Sequence, residues 1–467
     1  MPTATTTNAA GRPRISRGRA LLSATGSLAF IVSTAPGMVA ALPADPPLPP
    51  SSITTTGVCA LPGGEGLHAG IPTPPGFAPT GGTIRALTLF IDFPDAEARI
   101  DTGERFAEFF PATAEYFATA SRGRMDYRPD PVHRWLRMSR PFEEYGIDRG
   151  VGWHPDDPAG YNALMLEIVG AVGEEVNFSS YDVVNVLAAP NAGPSALETV
   201  LSVSFPGRPL VETPTGPLRN VSFIWSTQPG DSSHRVLVHE NGHAFGLPDL
   251  YWTGAGEPPL LTGHWDVMEQ DWGPSNGLLG WHRWKLEWLD DDQVDCVVES
   301  GTTEHRIVPL GTPDADAPDN DAPDAGAGPD ADPRAARPEG AAPVRPPGAP
   351  ADAGTDTRLV VLPVGPRRAI TLEVRTPSAL DHAVCRSGVL ITRVDTAART
   401  GEGPMRVEDA TPGSGGCHDP ADPQLAHELS DAAFLPGDTF HDPRTGVRVR
   451  VVEVDGDGAH VVRVTRR

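Results

Sequence analysis

Thirteen residues constrain this chain more than any others: His239-Glu240-Asn241-Gly242-His243-Ala244-Phe245-Gly246-Leu247-Pro248-Asp249-Leu250-Tyr251. Ser232 to Val238 lead into them with an N-cap type residue and then helix-compatible ones. On a helix, positions four apart share a face. His239 and His243 therefore present two imidazoles to one point, about 6 Å apart along the axis. Glu240 projects beside that point, while Leu237, Val238, Ala244 and Phe245 fall opposite and can bury the helix. Such a face is a zinc-hydrolase arrangement. The bland alternative is a surface helix with satisfied histidines, but the continuation argues against it. Gly246 stands where a helix would end on a left-handed residue. Leu247-Pro248 forbids further helix, and Asp249 follows three residues after the glycine. A sharp turn at Gly246 can bring Asp249 back beneath the imidazoles as a third ligand. Three protein ligands leave one tetrahedral position for water, the catalytic form of a zinc site.

From these residues onward the chain resembles the immune inhibitor A-like secreted bacterial metallopeptidases, relatives of the metzincins. The matching positions are His239, Glu240, His243, Gly246 and Asp249, with Leu247-Pro248-Asp249-Leu250-Tyr251 as the family-like extension. Trp265-Asp266-Val267-Met268 is placed like the family's Met-turn. Gly280 to Leu289 and the stretch Leu89-Phe90-Ile91-Asp92-Phe93-Pro94-Asp95 also match, the latter like the family's opening strand. The resemblance runs from about Gly82 onward and is strongest between His234 and Leu289. It implies a zincin/metzincin-like catalytic domain, with Met268 as a packing floor beneath the ligands. Some metzincins carry a tyrosine two residues after that methionine. Here the position is Gln270, which leaves the oxyanion-stabilising residue open.

With 467 residues the chain can hold two or three domains with sizeable cores. A formal charge of -24 argues against nucleic acid and anionic membranes as partners. Arg12, Arg14, Arg17 and Arg19 precede an apolar run from Ala20 to Val32, and Val39-Ala40-Ala41 fits a cleavage site. Residues 1–41 thus read as a secretory signal peptide, too short and broken for a membrane span. They hold four arginines and no acids, so the mature charge is -24 - 4 = -28. The expected product is a secreted monomer without a membrane anchor.

Residues 42–81 are a lead-in rich in Pro, Gly and Thr, anchored at Cys59. Residues 82–293 form the expected catalytic domain. Ile84 to Phe93 reads as a strand buried on both faces. Phe106 to Thr119 reads as one helix with an aromatic core stripe, Tyr161 to Val172 as a second helix, and Asp182 to Leu187 as a buried strand. Val221 to Trp225 is a further strand, the candidate edge along which a substrate peptide would lie. Trp281 to Leu289 closes the domain as a helix with three tryptophans. His234, His264 and His282 lack ligand spacing and read as surface or outer-shell residues.

Residues 294–467 read as a β-sandwich-like appendage, with strands at Arg306–Leu310, Leu359–Val364, Ile370–Val374, Val389–Val394, Val447–Val454 and His460–Val464. The last two are joined through Asp455-Gly456, a hairpin signal. Between the first two lies 312–356, an expected disordered insertion with ten acids against three arginines. Its aspartates lack the calcium-loop spacing. The family resemblance leaves room for structural Ca²⁺ elsewhere, with no ligands assignable.

The expected class is therefore α+β. The expected activity is that of a zinc endopeptidase acting on extracellular proteins and peptides. His239, His243 and Asp249 are its Zn²⁺ ligands and Glu240 its general base. A glutamate from a second helix, Glu269 or Glu287, is the weaker choice of third ligand. An inactive binding protein on the same fold and a zinc hydrolase of non-peptide amides or esters are the rival readings. Four cysteines in an exported chain point to disulfides. Cys385 with Cys417 would clip a loop of the appendage, and Cys59 with Cys296 would tie the lead-in to the domain junction. The rival role for Cys59 is a latency plug on the metal.

Overall fold

The structure is a computed structural model that describes residues 56–148, 150–192, 202–226, 233–255, 259–272, 277–312, 356–378, 380–418 and 427–467. The signal-peptide reading of residues 1–41 and nearly all of the acidic insertion, 313–355, lie outside the described residues. No described helix is long and apolar enough to cross a membrane.

Among the described residues the chain is mixed α/β with three sheets. After a single turn, α1 (Thr56–Cys59), the first sheet takes β1 (Gly82–Asp92), β2 (Met125–Arg137), β3 (Val183–Ala188), β4 (Val203–Thr213) and β5 (Gly216–Ile224) in the order β2-β1-β3-β5-β4. All neighbours are parallel except β4 on β5. The run of apolar residues in β1 is explained by its two covered faces. Ile84, Ala86 and Phe90 join one core cluster, and Leu87, Leu89 and Ile91 join another. The second cluster packs under α4 (Gly160–Val172), and the first under α3 (Ala112–Ala120) and α5 (Ser233–Ala244).

Three expectations need correction here. Phe106 to Thr119 is not one helix: α2 (Thr102–Ala107) and α3 are separated at Pro111, whose ring cannot sit in a helix interior. The core reading of its aromatics survives, since Phe109, Phe110, Tyr116 and Phe117 are buried. The strand at Val221 is β5, an interior strand, and the edge beside it is β4. The closing helix is only α6 (Gly280–Lys285); the chain leaves it through Glu287 at φ 61°.

Two further sheets follow. One orders β6 (Val294–Cys296), β8 (Leu359–Gly365), β9 (Arg368–Arg375), β10 (Gly388–Asp395) and β11 (Met405–Glu408) as β11-β10-β9-β8-β6. The other orders β7 (Gly301–Ile307), β12 (Thr439–Asp442), β13 (Val447–Val454) and β14 (His460–Arg466) as β12-β13-β14-β7. They share a core of Val360, Leu362, Leu372, Val449, Val462 and their neighbours, as a two-sheet β-rich region requires. The opposite face of the five-stranded sheet, through Leu359, Val361 and Leu390, belongs to the same core cluster as Ile84, Leu237 and Trp281. Apolar packing is thus continuous from β1 through α5 to the C-terminal strands.

Polar ties reinforce that junction. Arg375 is fully buried with Glu373 and Asp381, and Glu373 accepts from the Gly280 amide at 2.7 Å. The tryptophans of the α6 segment hold the lead-in: Trp281 Nε1 donates to Ala69 O at 2.7 Å and Trp288 Nε1 to Thr80 O at 2.7 Å. Cys59 is bonded to Cys296 and Cys385 to Cys417. A bonded Cys59 is not a metal plug.

Candidate metal centre

Helix α5 carries its charge-bearing residues buried, so each must find a partner. The helix ends as its sequence dictates. Gly246 adopts φ 92°, its N–H donates to His243 O at 2.9 Å, and the Leu247 N–H donates to Gly242 O at 2.9 Å. This paired closure is the Schellman turn. It also presents the Leu247 carbonyl to His243 Nδ1 at 2.8 Å. Val267, in the Met-turn segment, presents its carbonyl to His239 Nδ1 at 2.9 Å. Each carbonyl holds a ring proton on Nδ1 and turns Nε2 inwards.

Both Nε2 atoms face the same oxygen. Asp249 Oδ1 lies 3.2 Å from His239 Nε2 and 3.2 Å from His243 Nε2. The three donor atoms lie within 4.8 Å of one another, and no other such group of His, Cys, Asp or Glu occurs among the described residues. Two imidazole nitrogens and one carboxylate oxygen converging on a point, with their outer atoms tied to carbonyls, fit a zinc-type ligand set. Glu269 does not take part: its carboxylate accepts from the amides of Leu261, Thr262 and Gly263. Glu287 is exposed at the far end of α6.

Glu240 stands beside the cluster, held from the sheet. Its Oε2 accepts from Ser204 Oγ at 2.8 Å, and Ser204 lies on edge strand β4. Ser204 contacts Ser222 at 2.8 Å, and Ser222 accepts from Asn241 at 3.1 Å. Asn241 also donates to Asn185 and accepts from Tyr127 at 2.6 Å. A buried polar network therefore ties α5 to β2, β3, β5 and β4. Beside Ser204 lies a cleft of about 420 Å³ lined by Leu67, Pro74, Phe77, Phe205 and Arg208 among others.

The electrostatics suit a cation. Burial alone would lower the proton affinity of His239, but the bond to Asp249 and the charge of Asp271 carry it up to about 10. His243 moves up for a similar reason: burial opposes, and Asp249 outweighs it. Asp249 itself, despite burial, is held well below the carboxylate range by the two imidazoles. Burial pushes Glu240 up, against the pull of both histidines and Ser204. Tyr251 stacks on His239 at 6.0 Å between ring centroids, and burial followed by Asp249 raises its hydroxyl.

Met268 lies under the helix. A Cβ on Gly242 would sit 2.6 Å from its Sδ, so the missing side chain admits the methionine. The turn is knotted by Asp266, which accepts from the amides of Met268 and Leu279 and faces His282 Nδ1 at 2.9 Å. His282 and His264 are therefore buried residues, not surface ones, while His234 is half-buried. Sequence reasoning also passed over Ser204, Asp266 and Thr400. Asp266 lies inside the quoted Met-turn segment; Thr400 carries no local signal.

Searches with the chain find no family model and no curated protein that matches it.

Proposed function

We propose that this protein is a secreted zinc-dependent endopeptidase of the zincin/metzincin type. The observation that carries the reading is the convergence of His239 Nε2, His243 Nε2 and Asp249 Oδ1, with the Glu240 carboxylate alongside. Zinc held by those three residues would polarise a carbonyl and acidify a water towards a pKa of about 7. The other parts of the reaction fall to the chain itself. Ser204 pins Oε2 of Glu240, which leaves Oε1 to take the proton of the attacking water. The same oxygen returns that proton to the nitrogen of the departing amine. Strand β4 forms the sheet edge next to Glu240, where an extended peptide can add as a further strand. The cleft beside Ser204 receives one of its side chains. Export rests on residues 1–41 and accords with two disulfides.

The test is casein hydrolysis by purified full-length protein with and without a chelator, alongside Glu240→Gln. The substitution keeps the side chain's shape and touches no ligand. It should retain zinc stoichiometry and lose about 10²–10⁴-fold in kcat. Undiminished turnover in a zinc-loaded, folded E240Q would remove Glu240 from the role; zinc binding without casein cleavage by the wild type would favour another substrate or an inactive binder.

A further inference from the structure

We infer that Thr400 is a positioning residue of the metal centre, so that the β-rich C-terminal region completes a site whose ligands all lie before residue 250. The inference rests on the metal-binding reading above. Thr400 lies in the connection between β10 and β11, 151 residues from the aspartate it touches. Its hydroxyl donates to Asp249 Oδ2 at 2.7 Å and accepts from the Asp249 amide at 2.9 Å. A hydroxyl has one proton, and here the carboxylate takes it. With Oδ2 engaged and the backbone held by the same oxygen, the carboxylate cannot swing. Oδ1 is thereby the oxygen left towards His239 and His243, at 3.2 Å from each.

The contact is built and not incidental. The Gly401 amide donates to Asp249 O at 3.2 Å, and Thr253 donates from its amide to Gly401 O at 2.8 Å. Trp252 bridges Glu402, so the ligand segment and the clamp run antiparallel. Gly401 adopts φ 73°, and a Cβ there would lie 2.4 Å from Thr253 Oγ1, which requires glycine at that step. The clamp is itself fixed: the Thr400 amide donates to Leu67 O at 3.3 Å and Thr396 Oγ1 to Pro62 O at 2.7 Å. Lead-in, ligand loop and C-terminal region meet at one carboxylate.

Outer-shell partners of metal ligands are worth 10–100-fold in affinity. The experiment is a zinc titration of full-length wild type, Thr400→Val and Thr400→Ser against a chromophoric chelator, with thermal unfolding of the metal-free proteins in parallel. Thr400→Val should raise the zinc Kd about 10–100-fold while the metal-free Tm stays close to wild type. Thr400→Ser, which restores the hydroxyl, should return Kd to within about threefold of wild type. An unchanged Kd in T400V overturns the inference, as does a Tm loss without a Kd change, which would make the contact merely structural. If T400V does not fold, Thr400→Ala against Thr400→Ser repeats the comparison at lower bulk. A wild type that takes up no zinc, with folding intact, defeats the metal reading itself and is a separate outcome.

Discussion

Replacing Ser204 with alanine probes how the proton-carrying group is held, separately from whether it is present. Ser204 Oγ lies 2.8 Å from Glu240 Oε2, 2.7 Å from the Glu240 carbonyl oxygen, which competes for the same proton, and 2.8 Å from Ser222 Oγ. A hydrogen bond to a charged acceptor contributes about 1.5–3 kcal/mol. If all of it were lost from the transition state, kcat would fall about 10- to 150-fold, at 1.36 kcal/mol per decade. Ser204 is half-buried, so water can enter the vacated volume and replace part of the bond. The expected loss is therefore at the lower end, about 10–30-fold in kcat, with KM and zinc content unchanged. A second readout has a definite sign. The Ser204 bond favours the charged form of Glu240 and lowers its pKa, so removing it raises that pKa. The acid limb of the kcat/KM profile should move to higher pH. The assay is steady-state cleavage of a fluorogenic peptide by zinc-replete protein across the pH range, with Ser222→Ala as a milder control. Wild-type kcat together with an unmoved acid limb would refute the idea that Glu240, held from β4, moves the proton.

Two other outcomes are expected. Asp249→Ala should lose zinc and activity together, whereas Glu269→Ala should keep zinc and lose stability, about 1–3 kcal/mol for each amide left without an acceptor; metal analysis and chemical denaturation read both, and zinc loss confined to E269A would reverse the ligand assignment. Lys285, the only lysine, is buried on Gly70 O at 2.7 Å, and burial lowers its pKa from 10.5 to about 7. Between those values the unfolded chain holds a proton that the folded chain does not, so stability should rise with pH, by roughly 1.4 kcal/mol per unit. Lys285→Met should flatten that rise in urea melts at several pH values; equal slopes for both proteins would contradict it.

The two edges of the first sheet show where sequence patterning fails. The interior strands β1, β3 and β5 were all legible, because burial on two faces writes near-continuous apolar runs. The outer strands β2 and β4 were not. Each carries prolines, Pro129 and Pro131 in one and Pro206 and Pro209 in the other, which break a strand pattern. Proline is nevertheless tolerated on an edge, where the missing N–H has no ladder partner to lose. The edge was therefore placed one strand inward, and Ser204 was missed with β4. The clustering of His239, His243 and Asp249 was legible because helix period, glycine and aspartate are local, and the structure brings those residues together. The polar atoms that orient them come from β4, from the segment at Asp266, and from the β10–β11 connection. Such contacts leave no periodicity behind. The cysteine pairing was legible from order along the chain, since each bond closes over one coherent stretch.

The bond from Thr400 to Asp249 has a consequence in time. A ribosome adds about 5–20 residues per second, so the 151 residues between ligand and clamp take roughly 8–30 s to make. Throughout that interval the nascent chain already contains both histidines, the glutamate and the aspartate, yet lacks the hydroxyl that aims the carboxylate. Cys59 waits longer still for Cys296, 237 positions away. A chain cut short anywhere between residues 251 and 400 would carry the whole motif and a carboxylate free to turn. On the reading proposed above, the carboxylate gains its fixed orientation, and the site its full affinity, only in the last part of synthesis.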